Sequence, residues 1–133
     1  MSGIEVAVAV QKGMFDTLTA TLSAAHIGVY DLVPPDASFP YVTIGDDQAL
    51  DIGVSCEPDM WEYFSTLHVW SRTSSGRIEA KFVAGLVREA LNNLTVTGFN
   101  VLLIQCERTD HLRDPDGLSA HSIVTMRFLI SIV

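Results

Sequence analysis

The sequence lacks nearly all the short motifs that identify a catalytic or metal site. It contains no GxxxxGK[ST] or GxGxxG stretch for phosphates, no GxSxG nucleophile elbow and no HExxH pair. Its two cysteines, Cys56 and Cys106, show no CxxC spacing, which favours reduced thiols in a chain made in the cytosol. We therefore predict a protein that is not an enzyme, with no catalytic residues and no cofactor.

Positive charge is nearly absent from the first half of the chain. Residues 1–71 hold ten acidic residues and one cation, Lys12, whereas residues 72–133 hold six acids and seven cations. The formal charge of −8 and the lack of a basic stripe argue against sequence-specific nucleic-acid binding. Two halves of such different charge favour head-to-tail contact between copies of the chain.

Long apolar runs are also missing. The run Ile4–Val10 is far too short to span a bilayer and contains Glu5. No N-terminal stretch joins a basic region to a cleavable apolar run. We expect neither a signal peptide nor a membrane segment.

The apolar periodicity that is present predicts two helices, at residues 3–25 and 77–94. Ser2 is the expected N-cap of the first helix and Gly76 that of the second, which Asn92 and Asn93 end. The second helix has a wide apolar stripe: Ile78, Phe82, Val83, Leu86, Val87, Ala90, Leu91 and Leu94. Its polar side carries Arg77, Lys81 and Arg88, whose acidic partners we expect to come from elsewhere.

Five runs of strand-forming residues complete the pattern, at residues 27–33, 39–45, 61–72, 96–109 and 122–133. The run 61–72 is bulky on both faces, so we expect a central strand with helices on one side and a partner or second layer on the other. The fold class is α+β, in the order α-β-β-β-α-β-β. We expect a single domain over residues 1–133, with a mostly antiparallel sheet of four to five strands packed with two α-helices.

The last two strands flank Asp114-Pro115-Asp116-Gly117, which has the residue preferences of a type I turn. A calcium loop would need Gly at position 6 and Glu at position 12, so the turn interpretation is favoured. The exposed tip, with Arg113 beside Asp114 and Asp116, is a candidate contact with a neighbouring subunit or ring.

Four histidines are scattered through the chain. We interpret His68 as a packed strand residue, and His111 and His121 could face each other across the mouth of the hairpin. Two histidines without a third ligand make a poor metal site, so we predict no bound metal.

The segment 46–60 contains no lysine or arginine and ends just before Trp61. We predict a long, mobile loop between paired strands, and such loops usually have a function. Trp61 is either an interface anchor or a core residue. The candidate contact residues of the segment are Asp46, Asp47, Asp51, Glu57 and Asp59.

Five parts of the chain, in order, resemble the small tail-completion or tail-terminator proteins of long-tailed phages and of phage-like gene transfer agents. The resembling segments are Tyr30–Ala37, Phe39–Gly45, Leu67–Arg72, Glu79–Lys81 with Val87–Leu91, and Leu112–Leu118 with His121, Arg127 and Phe128. They cover nearly the whole chain, with the N-terminal helix the least distinctive part.

The resemblance implies a virion structural protein made and assembled in the host bacterial cytoplasm. It implies a homohexameric ring at the head-proximal end of the tail, which terminates the tail tube, joins the head-side connector and leaves a lumen for DNA. The implied partners are other copies of the chain, the tail tube protein and a connector or adaptor protein. The 46–60 segment is then the part expected to become ordered on binding the tube or connector.

Three other interpretations remain open from the residues alone. The first is another neck role, as a head-closure protein or connector adaptor. The second is a small cytosolic enzyme or ligand-binding α/β domain, which would need a polar pocket constellation. The third is an RNA-binding α/β domain, which would need aromatic and basic residues on its sheet.

Overall fold

The computed structural model describes residues 3–56, 58–74 and 76–132, and the expected Ser2 cap lies outside them. The elements follow the predicted order. They are α1 (Gly3–Leu22, followed by a short 3₁₀ turn at Ser23–Ala25), β1 (Gly28–Tyr30), β2 (Tyr41–Asp51), β3 (Met60–Ser71), α2 (Ile78–Leu91), β4 (Phe99–Arg113) and β5 (Ala120–Ile132).

The five strands form one sheet in the order β1-β2-β3-β5-β4. All neighbouring strands are antiparallel except β1 and β2, which are parallel. The central position of β3 and the mostly antiparallel α+β fold are confirmed. The chain reaches β4 from β3 by way of α2, and β5 then fills the place between β4 and β3.

Both helices lie on one face of the sheet, where they bury the core. Alternate residues of β3 and β5 point toward the helices, among them Tyr63, Leu67, Met126 and Phe128, and all four are fully buried. Each large apolar side chain removed from water in this way contributes about 1.5–3 kcal/mol to folding. Because side chains alternate along a strand, the residues between these core positions lie on the opposite face of the sheet.

The buried side of α2 differs from the predicted stripe. Ala80, Val83, Ala84 and Val87 face the sheet, whereas Ile78 and Phe82 are 69% and 68% exposed. One side of a helix can pack on one sheet, and the predicted stripe was too wide for a single contact. The prediction that Ile78 and Phe82 belong to the core was wrong.

The predicted N-cap of α2 was also displaced by one residue. Arg77 occupies this position and forms no side-chain capping bond. The helix ends at Leu91, three residues before the predicted bound, and Asn92 ends it as expected, because its backbone N–H bonds the last turn.

The predicted loop 46–60 was wrong over its first half. β2 continues to Asp51 and pairs with β3 down to Trp61, after a bulge between Ile44 and Asp47. The bulge changes the alternation, and the acidic side chains that follow stay exposed, so the strand keeps its charges in water. The connection between the strands is thereby reduced to residues 52–59.

No helix among the described residues is both long and apolar enough to cross a membrane.

Candidate interaction surfaces

The face of the sheet opposite the helices has no covering layer among the described residues. Its side chains remain half-buried only because they contact one another. Arg127 is held there by Glu62, with 2.6 Å between Nη2 and Oε2, and it also donates to the side chain of Gln105. The face on β3 and β5 consists of Phe64, Thr66, His68, Trp70, His121, Ile123, Thr125, Arg127 and Leu129.

Two histidines and a tryptophan form a stack at one end of this face, where β3 ends and β5 begins. The Nδ1 atom of His68 lies 2.6 Å from the Nε2 atom of His121, whose ring stacks on Trp70 at 3.8 Å between centroids. Gly45 leaves room for the stack, because a Cβ at this position would lie 2.6 Å from His68 Cδ2. Burial lowers the pKa of both imidazoles. The positive charge of protonated His68 lowers the pKa of His121 further.

This arrangement differs from the predicted histidine contact. His121 pairs in register with Leu112, which places His111 on the opposite face, where it lies 2.7 Å from the hydroxyl of Ser122. His68 is a half-exposed partner of His121 and not merely a packed residue. Within the described parts of the chain, no three metal-binding side chains come together.

The turn between β4 and β5 forms as predicted. The N–H of Gly117 donates to the carbonyl of Asp114 at 3.1 Å, and Gly117 has a φ of 72°. Asp116 accepts the backbone N–H groups of Leu118 and Ser119, and these bonds lower its pKa to about 2. Within the chain, the carboxylate of Asp116 thus organises the turn.

Arg72 links this turn to β3. Its Nη2 atom lies 3.3 Å from Asp116 Oδ2, and its guanidinium lies over the ring of Phe39 at 4.5 Å. Arg113 and Asp114, the other candidate contacts at the tip, are exposed and half-buried respectively. The tip is therefore held by hydrogen bonds and an ion pair within the chain, and Arg113 beside it is an exposed cation.

Three of the predicted acidic contacts lie on β2. Asp46, Asp47 and Asp51 are exposed, and the buried Tyr63 donates its hydroxyl to the carboxylate of Asp47. Burial, and then this bond, raise the pKa of Tyr63. Asp51 accepts the N–H of Gly53 at 2.9 Å.

The other predicted residues of this region differ in exposure. Asp59 is exposed directly before β3, and Glu57 lies outside the described residues. Trp61 is half-buried and packs on the core, so the structure supports its core role. We call Asp46, Asp47, Asp51 and Asp59 the acidic end; exposed apolar residues accompany it, namely Leu50, Ile52 and Val54.

A second exposed surface lies on α2. Arg77, Lys81 and Arg88 are exposed beside Ile78 and Phe82, and we call these five residues the outer stripe. None of its three cations forms an ion pair with another described residue. The cations could be predicted from the sequence, but the exposure of Ile78 and Phe82 could not, because both residues fit the periodicity of the buried side.

The outer stripe and the acidic end lie toward opposite sides of the sheet. Three of the acidic residues lie on β2, where α1 packs, whereas α2 packs over β3, β5 and β4. No ion pair joins the two surfaces among the described residues.

Comparison with known proteins gives consistent matches over most of the chain. The family described as Tail completion protein gp17 matches residues 14–131. Tail completion protein gp17 of Bacillus phage SPP1 is 30% identical over 99 residues, which are 72% of this chain and 71% of that protein.

Two solved structures share the fold. The structure of bacteriophage SPP1 gp17 superposes with a TM-score of 0.64 at 27% identity and covers 96% of this chain and 91% of its own. A chain from the virion of the native gene transfer agent particle superposes with a TM-score of 0.81 at 20% identity. The match covers 95% of this chain and 97% of that chain.

The matched residues include α2 and all five strands, with both candidate surfaces. The resemblance found in the sequence is thereby confirmed. The chain belongs to the tail completion protein gp17 family of virion tail proteins.

Proposed function

We propose that this protein assembles head to tail into a hexameric ring that terminates the tail tube. The ring joins the tube to the head-side connector, and DNA passes through its lumen. The observation that supports the ring is the pair of complementary surfaces toward opposite sides of the sheet. A heterologous contact between two different surfaces generates a closed ring when its rotation closes.

Charge and apolar area match between the two surfaces. The outer stripe offers Lys81 and Arg88 beside Phe82, which is 68% exposed, and the acidic end offers Asp51 beside Ile52, which is 41% exposed. An apolar centre with oppositely charged surroundings is typical of specific protein interfaces. The net charge of −8 also suits a conduit, because a negative wall does not retain moving phosphates.

Charge reversal tests the contact. We expect the Lys81→Glu, Arg88→Glu variant to disperse the ring, since it places acids against the acidic end. A second variant with Asp51→Lys and Asp59→Lys added should restore the ring. Light scattering measures the mass of each species, alone and with tail tubes.

The control changes the same total charge elsewhere. Lys12, Thr19 and Thr21 are exposed on α1 and belong to neither surface, so Lys12→Glu with Thr19→Glu and Thr21→Glu should leave the ring intact. An intact Lys81→Glu, Arg88→Glu ring would eliminate the outer stripe as the contact.

The middle of the connection, residues 53–58, is our proposed contact with the tube or connector, and it replaces the longer loop expected from the sequence. Its exposed Val54 is an apolar group that a partner could cover. We expect cleavage at 53–58 by a protease to slow when the ring binds a tube. Equal cleavage rates in the ring alone and on tubes would remove this contact from the proposal.

A further inference from the structure

The sheet has unpaired backbone on both sides over similar lengths. On one side, β4 pairs among the described residues with β5 alone. On the other side, β1 pairs with β2 only from Tyr41 to Thr43, so residues 44–51 of β2 have no described strand on their outer side. Unpaired edges of this kind can add a strand from another chain.

The two halves of the β4 edge differ in charge. Edge strands are commonly guarded by charges, prolines and bulges. The second half of β4 carries Glu107, Arg108 and Asp110, whereas residues 99–106 contain no charge and no proline. Within this uncharged half, the bulge residue Leu102 is 56% exposed. The guarded half discourages pairing, and the uncharged half permits it.

Strand directions select how a second copy would fit. β2 is antiparallel to β3, β3 to β5, and β5 to β4, so β4 runs opposite to β2. A copy that continues the sheet therefore brings its β2 beside β4 in the antiparallel arrangement. Each edge offers eight residues, about 27 Å of strand.

We propose that residues 99–106 of one copy pair with residues 44–51 of the next, so that the sheet continues from subunit to subunit. This inference rests on the proposed ring and specifies its contact. Asp47 and Asp51 lie on the helix-facing side of β2, and α2 packs on that same side over β5 and β4. Sheet continuation therefore brings the acidic end of one copy to the side of its neighbour that carries Lys81 and Arg88.

Crosslinking tests the pairing. In a Cys56→Ser, Cys106→Ser background, Gln48→Cys and Gln105→Cys place exposed thiols on β2 and β4, both on the face away from the helices. A short bis-maleimide should link the double variant into a ladder that ends at the ring size. As a control, Gln11→Cys on α1 with Gln105→Cys should give no ladder.

Substitution of the exposed leucines gives a second readout. We expect Leu102→Glu to abolish the ring, because it opposes a carboxylate to the acidic edge, whereas Leu102→Lys should retain it. Leu32→Glu, at an 89% exposed leucine after β1, should have no effect. Hydrogen exchange should also slow in the ring for the backbone amides of residues 44–51 and 99–106.

The outcomes separate the two proposals. A wild-type ring that gives no ladder, and that survives Leu102→Glu, would overturn strand pairing and leave the ring in place. A wild-type protein that forms no ring, free or on tubes, would overturn both. Crosslinks from Gln105→Cys to tube protein alone would assign the β4 edge to the tube and contradict self-pairing.

Discussion

His68 and His121 lie 53 positions apart in the sequence, yet their Nδ1 and Nε2 atoms are 2.6 Å apart on the uncovered face of the sheet. A bond of this length places one hydrogen between two imidazoles, so one ring donates and the other accepts. Trp70 stacks on His121 with 10° between the ring planes. The face that no helix covers thus has a defined structure before any partner binds it.

Protonation of this pair should weaken the fold. Burial lowers the pKa of both rings, with Asp46 and Asp114 opposing the shift, while unfolded imidazoles titrate near 6.5. The unfolded chain therefore binds protons first as the pH falls. The stabilising contribution is complete above 6.5 and is lost as the pH falls toward the lowered folded-state pKa values.

We expect the thermal unfolding midpoint to fall between about pH 7.5 and about pH 5.5. The His68→Gln, His121→Gln variant should show a smaller fall, and His26→Gln, at an exposed histidine, should behave as the wild type. The same slope in the double variant as in wild type would show that the pair does not titrate as described.

Removal of the Tyr63 hydroxyl should destabilise the bulged part of β2. Tyr63 is fully buried and donates to Asp47, and loss of one such bond typically costs about 1 kcal/mol. Urea unfolding of Tyr63→Phe measures the change. Tyr41→Phe is the control, because Tyr41 contributes ring contacts and should lose less than half as much. Equal losses would mean that the Asp47 bond contributes nothing of its own.

Two glycines should respond to alanine in opposite directions. Gly117 has a φ of 72° in the turn, where a Cβ costs about 1–2 kcal/mol, so Gly117→Ala should destabilise. Gly85 lies on the exposed side of α2 with no atom within 4 Å of an added Cβ, so Gly85→Ala should stabilise by about 1 kcal/mol. Unfolding midpoints that moved in the same direction would contradict one of the two assignments.

Local patterns in the sequence predicted the elements and the turn because each depends on neighbouring residues. Apolar periodicity predicted both helices, and the four residue types of Asp114-Pro115-Asp116-Gly117 predicted the turn. The extension of β2 to Asp51 could not be found in this way. That segment is a strand because it pairs with β3 across a bulge, and its acidic composition alone is typical of a loop.

Contacts between residues that are distant in the sequence could not be predicted either. Which residue faces His121 depends on the register of β3 with β5, and the sequence does not specify that register. The sequence also cannot separate apolar helix residues that cover the core from those exposed for a partner. Ile78 and Phe82 fit the buried pattern and belong instead to the outer stripe.

Electron microscopy of purified protein with tail tubes from the same kind of particle tests the central claim most directly. The account predicts six-fold rings at tube ends, at one end of each tube, and tubes that no longer elongate when tube protein is added. The claim would be contradicted if the protein bound portal complexes while tube ends stayed bare and continued to grow. That result would assign the protein to another position in the neck.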